Sequence, residues 1–367
     1  MLDISLTRVT DFYNVGRQWQ DLELRADISF FQSWAWTGCL AEERFSDPVL
    51  LAVRINHRIV GLGLFNHRPR FFGRSTLWLG ESGDPCHDDV FLEHNGLLID
   101  RDQPQDMLGA WLTAAQNNPL DLKDHPRPRN IVLSGVHAGY ITASASNHLS
   151  LVRVRASREA PFVDLEVVRK SQQDFLATLS ANTRYQIRRS ERRYAEFGPV
   201  AIQRAQSLDE AQDYLSCLIA LHQDYWTRRA KRGAFANPQF ERFHRTLIER
   251  AFVAGGTDLL KVTAGSKVIG YLYNLSLNGH VCAYQSGFNY QLSHSHQRPG
   301  LTCHHLAIEM YLAEGCSRYD FLAGSDRYKL SFSNATASLY WIRVGRHSWY
   351  RWQFRHFSGR NAAPFTN

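Results

Sequence analysis

The sequence predicts two α/β domains, each a mixed, largely antiparallel sheet flanked by helices, related to each other by duplication. At 367 residues the chain exceeds what one ordinary core organises and suits two. A strand–turn–strand pattern occurs once in each half: Leu50–Phe65 reads LLAVRINHRIVGLGLF and Leu259–Asn274 reads LLKVTAGSKVIGYLYN. Aligned without a gap, the two share Leu-Leu, a Val two places on and a Gly after a β-branched pair. The last third, Asp258 to Lys329, orders three strands, a Pro-Gly turn, an amphipathic helix and a final strand. The expected domains are 1–166 and 167–367, divided near Glu166–Ser171.

In the first half a Trp-rich helix (Trp34, Trp36, Leu40) precedes the hairpin Leu50–Phe65, which turns at Asn56-His57-Arg58. Strands near Thr76–Leu79 and Leu97–Ile99, a helix around Asp106–Asn117 and a strand at Ile131–Leu133 follow. Asn118-Pro119 and Asp124–Pro128 read as loop. Two short strands, near Leu151–Val154 and Phe162–Leu165, close this half. The second half opens on helices. Ser171-x-x-Asp174 and Ser207-x-x-Glu210 are capping-box patterns. Asn237 followed by Pro238 marks a third helix start, and Gly255-Gly256 its end. Strands at Leu259–Thr263, Val268–Leu277 and His280–Phe288 come next. After the turn at Pro299-Gly300, a helix runs to Gly315, and strands follow near Arg318–Leu322 and Leu339–Val344.

Composition narrows the function classes. A net charge of +7 permits an acidic partner, whether a phosphorylated cofactor, nucleic acid or an anionic membrane surface. The six cysteines form no C-x-x-C pair, so neither a zinc ribbon nor a redox motif is indicated, and a reducing compartment is the simplest setting. No basic-then-apolar leader and no apolar run of ~20 residues is visible, so a cytoplasmic protein without a transmembrane segment is expected.

Gln297-Arg298-Pro299-Gly300-Leu301-Thr302 is the leading candidate for chemistry. A glycine turn into a helix start presents unpaired amides, here those of Leu301, Thr302 and Cys303, and the positive end of the helix dipole, which suit a pyrophosphate. The plain alternative is an ordinary strand-to-helix turn. Asp320, followed by apolar Phe321 and Leu322, reads either as a partly buried carboxylate with a raised pKa or as one salt-bridged to Arg327 or Lys329. Lys329 reads either as an anchor for a substrate carboxylate or oxyanion or as a solvated lysine. Arg184, Arg188 and Arg192 lie at i, i+4 and i+8, one stripe of a basic helix, with Arg189 and Arg193 beside it. That face would meet adenosine phosphates, an anionic acceptor or a nucleic acid, or would simply be solvated. No metal is expected. The run Asp84–Asp89 and the histidines His294, His296, His304 and His305 lack a metal-ligand spacing, although His87 or Asp88 could line a cleft. No P-loop, no strand-following G-x-G-x-x-G and no G-x-S-x-G occurs.

The order of elements resembles the GNAT acyltransferase superfamily, whose acyl-CoA loop reads Gln/Arg-x-x-Gly-x-Gly/Ala. Gln297 and Gly300 fit that pattern and Thr302 departs from it. Asp320-Phe321-Leu322-x-Gly324 with Tyr328-Lys329, His222…Trp226…Arg228 before Gly233 and Phe235, and Asn182–Arg189 resemble the CelD-like and FemAB-like branch, over roughly residues 30–345. The resemblance implies two tandem GNAT-like halves, the first without a cofactor site. It also implies an N-acyltransferase that uses acetyl-CoA or another acyl-CoA. The acceptor would be an amine on a sugar, an amino acid or a cell-envelope or polysaccharide precursor. Aminoacyl transfer from a charged tRNA and a non-catalytic partner in polysaccharide biosynthesis are the alternatives. On this basis Gly287, Phe288, Gln297, Arg298, Gly300, Leu301, Thr302 and Cys303 would hold the acyl-CoA, with an oxyanion donor near Gly287–Asn289. Asp320, or Tyr284 or Tyr328 through water, would take the amine's proton, with Lys329 beside them. Arg184, Tyr185, Trp226 and Gln285 would face the substrate.

Overall fold

The computed structural model describes residues 2–70, 74–85, 87–88, 90–104, 107–117, 128–145, 150–292 and 295–346. Cys86, Asp89, Asn118-Pro119, most of the run 124–128 and His294 lie outside them. Thirteen strands form one sheet among the described residues: β1 (Leu2–Arg8), β2 (Pro48–Ile55), β3 (Arg58–Arg70), β4 (Arg74–Leu79), β5 (Leu98–Ile99), β6 (Pro128–His137), β7 (Ser150–Asp164), β8 (Val200–Arg204), β9 (Thr257–Ala264), β10 (Lys267–Leu277), β11 (His280–Phe288), β12 (Arg318–Asp320) and β13 (Ala335–Arg346). Their order is β1-β2-β3-β4-β6-β13-β7-β12-β11-β10-β9-β8, with β5 on β3.

The duplication is visible in this order. From either outer edge inward come three antiparallel pairs, one parallel pair (β4–β6 or β11–β12) and one antiparallel pair, and the two series meet at antiparallel β13–β7. The two hairpins that look alike in sequence, β2–β3 and β9–β10, occupy matching places. The first turns on Asn56 and His57, both at positive φ, as a two-residue turn matched to strand twist requires. The innermost strands are exchanged. β7 follows β6 in the chain but pairs with β12, and β13 follows β12 but pairs with β6.

Where the elements differ from expectation, the cause is this exchange or a cap. The two short strands expected at 151–154 and 162–165 are one strand, β7, because β13 pairs along it from Ser150 to Phe162 and β12 takes over to Asp164. The segment expected at the domain boundary is the helix Leu165–Ser171, capped by Asp164, which accepts from Val167 N at 2.9 Å. Ser171 does not cap the next helix; Asp174 does, accepting from Leu176 N. β1 and the helix Phe12–Glu23 are additions to the expected set.

Each half has a core on one side of the sheet, and a third core joins them. In the shared core the fully buried Trp36, from the helix Trp34–Arg44, meets Phe243 edge-on at 5.2 Å and Tyr284 at 5.9 Å. Phe243 sits on the helix Pro238–Ala251, whose start Asn237 caps by accepting from Gln239 N. Truncating Trp36 to Ala would cost about 3–5 kcal/mol.

Candidate active site

Parallel β11 and β12 stay paired for three residues, His280–Cys282 against Arg318–Asp320, and then part. The rest of β11, from Ala283 to Phe288, borders a cleft of about 2210 Å³ between the halves. Asn289 N–H is bonded to Ile269 O (2.9 Å) on the β10 side. Alternation along an antiparallel strand turns the Gly287 amide the same way and those of Ser286 and Phe288 toward the opening. Gly287 is therefore not a cleft residue. Its Cα abuts Leu218 O, which an added Cβ would meet at 2.3 Å. Gln285, Phe288 and Trp226 do line the cleft. So does His222, whose Nδ1 lies 3.1 Å from Ser286 O.

The expected anion site is partly formed. The helix Pro299–Ala313 starts at the cleft, with Gly300 and Leu301 on its wall and no side chain capping its first turn. Gly300 is set by a close approach rather than by positive φ, since an added Cβ would sit 3.2 Å from the Phe288 ring. Thr302 and Cys303 do not belong to the site. Both are fully buried; Thr302 N bonds to Arg298 O, and its hydroxyl pairs with Ser190 Oγ at 2.9 Å. Ser190 Oγ also accepts from Arg298 N (2.8 Å), and Gln297 Nε2 donates to Arg193 O (3.3 Å), so the basic helix Ala181–Ala195 props up this turn. Its Arg189 and Arg193, with Arg298, crowd around His296. Desolvation and those three charges hold that imidazole below its usual range. Arg298 at the helix start, with Arg189 and Arg193 near His296, makes a cationic collar on this side of it.

Arg184 and Tyr185 face elsewhere. The Arg184 guanidinium donates to the carbonyls of Leu179, Ala177 and Leu176, closing the end of the helix Phe175–Thr178. Tyr185 is exposed on an outer hollow shared with Arg188 and Arg192, its ring 5.8 Å from the Arg189 guanidinium. A helix carrying arginines on several faces places only some of them toward any one site.

The cleft floor is the turn Phe321–Gly324, fixed from both halves. Leu322 is held at φ 61°, which a bulky residue rarely adopts. Asp320 Oδ1 accepts from Leu322 N (2.7 Å), Glu93 accepts from Ala323 N, and Glu159 O from Gly324 N (3.1 Å). Lys329 Nζ donates to Ala323 O (2.9 Å) and Leu322 O (3.4 Å). Lys329 is thus a buried cleft residue, not a solvated one, and burial lowers its pKa. Tyr328 and Tyr284 also line the cleft, and burial pushes both phenols up.

Asp320 departs from the expected base. It is fully buried, and neither Lys329 nor Arg327 is its ion partner. Its Oδ2 lies 2.8 Å from Arg318 Nη2, 3.1 Å from His94 Nε2 and 3.4 Å from His280 Nε2. Burial alone would raise this carboxyl. The charges of His94 and Arg318 and the hydrogen bond from His280 outweigh that and hold it well below the usual range. The ligand atoms of His94, His280 and Asp320 fall within 4.8 Å of one another, a grouping a metal ion could use, but Arg318 already brings a cation to the same oxygen. The other expected clusters are structural. Asp88 accepts from the amides of Ser82 and Gly83 in its own loop, His304 Nδ1 meets Tyr319 Oη at 2.9 Å, and His305 pairs with Glu191 at 2.6 Å.

The carboxylate with the properties sought in Asp320 is Glu93, which sequence reading missed. It is buried in the cleft wall, and desolvation raises its pKa to about 7 against the opposing bond from Ala323 N. The first half delivers it. There β4 and β6 run parallel through Leu79 and Leu133, and the space beyond is filled by the chain itself. Asn95 bridges Val136 and donates through Nδ2 to Leu79 O (3.2 Å) and Ser134 O (3.1 Å). This plug closes in the first half the opening that β11 and β12 leave in the second, and it carries Glu93 and His94 across the seam.

Residues 181–330 match the model of the acetyltransferase (GNAT) domain family. Residues 181–330 form a GNAT acyltransferase domain. With the matching half-sheets, the chain has a tandem GNAT-like fold. It is similar to a crystal structure of FemX, with a TM-score of 0.60 at 8% identity over 89% of this chain and 95% of that one. A conserved protein of unknown function from Bacteroides thetaiotaomicron VPI-5482 gives 0.58 at 12% identity, over 90% and 97%. The C-terminal domain of a putative lysylphosphatidylglycerol synthetase from Agrobacterium fabrum gives 0.53 at 11% identity, over 91% and 92%. At these identities the likeness is one of fold. No curated protein matches the sequence.

Proposed function

We propose that this acyltransferase moves an acyl group, acetyl in the simplest case, from an acyl-CoA to an amine held in the cleft. The units would be 1–166 and 167–367 with β7 and β13 exchanged, and only the second would bind the acyl-CoA. The observation that carries this reading is the parting of β11 from β12 beside an uncapped helix start, with Glu93 facing the gap from the other half. The diphosphate would lie on the Gly300 and Leu301 amides inside the collar of Arg189, Arg193 and Arg298. The Ser286 and Phe288 amides would receive the thioester oxygen as it becomes an oxyanion. The amine nitrogen attacks the carbonyl carbon, the C–N bond forms, and the C–S bond breaks. Glu93 takes the ammonium proton, and the thiolate leaves as CoA. A carboxyl titrating near 7 is matched to that duty. Lys329 and the Asp320 cluster fix the turn that orients Glu93.

Calorimetry with acetyl-CoA on the full chain tests the donor. Micromolar binding that Gly300→Asp weakens at least tenfold, through like charge beside the diphosphate, supports the reading. Undiminished binding to the variant, or none to the parent, refutes it. Aminoacyl transfer from a charged tRNA, as in the FemAB-like resemblance, has one observation in its favour. Arg188 and Arg192 stand exposed on the outer hollow, without a binding role in the first reading. Salt-sensitive tRNA binding lost in Arg188→Glu/Arg192→Glu would favour it.

A further inference from the structure

The cleft extends beyond Glu93 along the central strands. One wall there is built from Trp78 on β4, Trp341 on β13, and Arg155 and Arg158 on β7. The Arg158 guanidinium lies 5.0 Å from the centre of the Trp341 ring, and that of Arg155 lies 5.7 Å from Trp78. Indole faces hold both planar cations in position, so little side-chain freedom is lost when they meet an anion. The only acidic group within ion-pair reach of Arg155 among the described residues is Glu81, at a loose 3.9 Å, and Arg158 has no such partner there. Glu81 itself is raised to about 7 by burial and by Asp88, so at neutral pH it offsets the wall's charge only in part.

We infer that this wall is an acceptor subsite for an acidic group, and that the acceptor is an extended acidic glycan presenting its amine at Glu93. The inference rests on the acyl-transfer reading only for the position of the amine. The span follows from register. Gly324 N, next to the Ala323 amide that holds Glu93, is bonded to Glu159 O, and the Arg158 guanidinium lies over Trp341, which pairs with Ala156 three residues back along β7, roughly 10 Å at ~3.3 Å per residue. A monosaccharide phosphate is too short to bridge that distance, whereas a short oligosaccharide with uronate carboxylates reaches it and sets them against the two guanidinium groups that the indoles hold. The diphosphate of the donor does not compete, because its collar is built by other elements: the helix start at Pro299 and the helix Ala181–Ala195.

The test is calorimetry on the full chain with two probes of equal length, a partially N-deacetylated hyaluronan tetrasaccharide and a chitosan tetrasaccharide. The acidic probe should bind at least tenfold more tightly. Arg158→Leu should weaken it by about 10- to 100-fold, the span for losing a hydrogen bond to a charged group. Arg158→Lys should recover part of that loss, and acetyl-CoA affinity should stay within twofold in both variants. Equal or tighter binding of the chitosan probe, no binding of the acidic probe, or an unchanged affinity in a folded Arg158→Leu protein overturns the inference. If acetyl-CoA does not bind the parent while the acidic probe binds through Arg158, the donor assignment fails and the subsite stands.

Discussion

Glu93→Gln separates the two consequences of burying a carboxyl at a catalytic position. Burial holds this group at about 7 in the folded protein against 4.5 for the free side chain, or ~3 kcal/mol against the ionised form. The direction is that of a raised acid. Below the unfolded pKa both states carry the proton and the gap has no effect. As pH rises through the interval up to about 7, the unfolded chain ionises first and the folded state loses ground. Gln imitates the protonated side chain and can accept the Ala323 N–H bond, so the variant should gain on the parent by ~2–3 kcal/mol between pH 5 and pH 8. At ~2.1 cal/mol/K of unfolding entropy per residue, 367 residues give ~0.8 kcal/mol/K, so the Tm difference should widen by about 3 °C. Glu81 and Glu23 have similarly raised values but are present in both proteins and cancel. The assay is paired thermal unfolding in matched buffers across that range. A Tm difference that does not change with pH, or that shrinks toward pH 8, refutes the assignment of Glu93 as a buried titrating acid. In activity, the same substitution should lower kcat by about 10²–10⁴-fold and remove a rise in rate centred near pH 7.

Three other substitutions test neighbouring claims. Asp320→Ala strips the partner from Arg318, His94 and His280 and should destabilise the protein by about 3–5 kcal/mol in denaturant titration, whereas a solvent-facing base would cost almost nothing. Lys329→Met leaves the Leu322 and Ala323 carbonyls without their donor; a loss of about 1–3 kcal/mol together with a lower kcat is expected, and unchanged kinetics would exclude Lys329 from orienting the turn. Arg184→Ala should cost about 1–2 kcal/mol through the freed helix end, with acetyl-CoA affinity unchanged in calorimetry.

The parts of the fold legible in the sequence were those set by local pattern. The hairpins, the capped helix starts at Ser207 and Asn237, and the turn at Gly300 follow from periodicity and cap chemistry within a few residues. Phe288, Gln285, Trp226, Tyr328 and Lys329, singled out in the sequence, line the cleft because they lie on or beside those elements. Glu93 was not, because nothing around it in the chain is unusual. Its burial and its partner Ala323 lie 230 residues away and exist only once Asn95 has closed the first half. The environment of Asp320 was misjudged for the same reason. Its nearest charges come from His94 across the seam and from His280 and Arg318 on paired strands, not from the Arg327 and Lys329 that follow it in the chain. Thr302 departed from the loop pattern at its last place, and the side on which its hydroxyl falls depends on Ser190 of another helix.

The exchange of β7 and β13 has a consequence for how the molecule is made. The ribosome delivers β6 long before β13, yet β6 has its inner neighbour only when residues 335–346 have emerged. Until then the nascent first half exposes an unpaired strand edge, the kind of surface that chaperones shield and that aggregates capture. A gene truncated after residue 330 would keep every residue of the acetyltransferase match and still leave that edge bare, so loss of yield rather than loss of catalytic groups would be its first symptom.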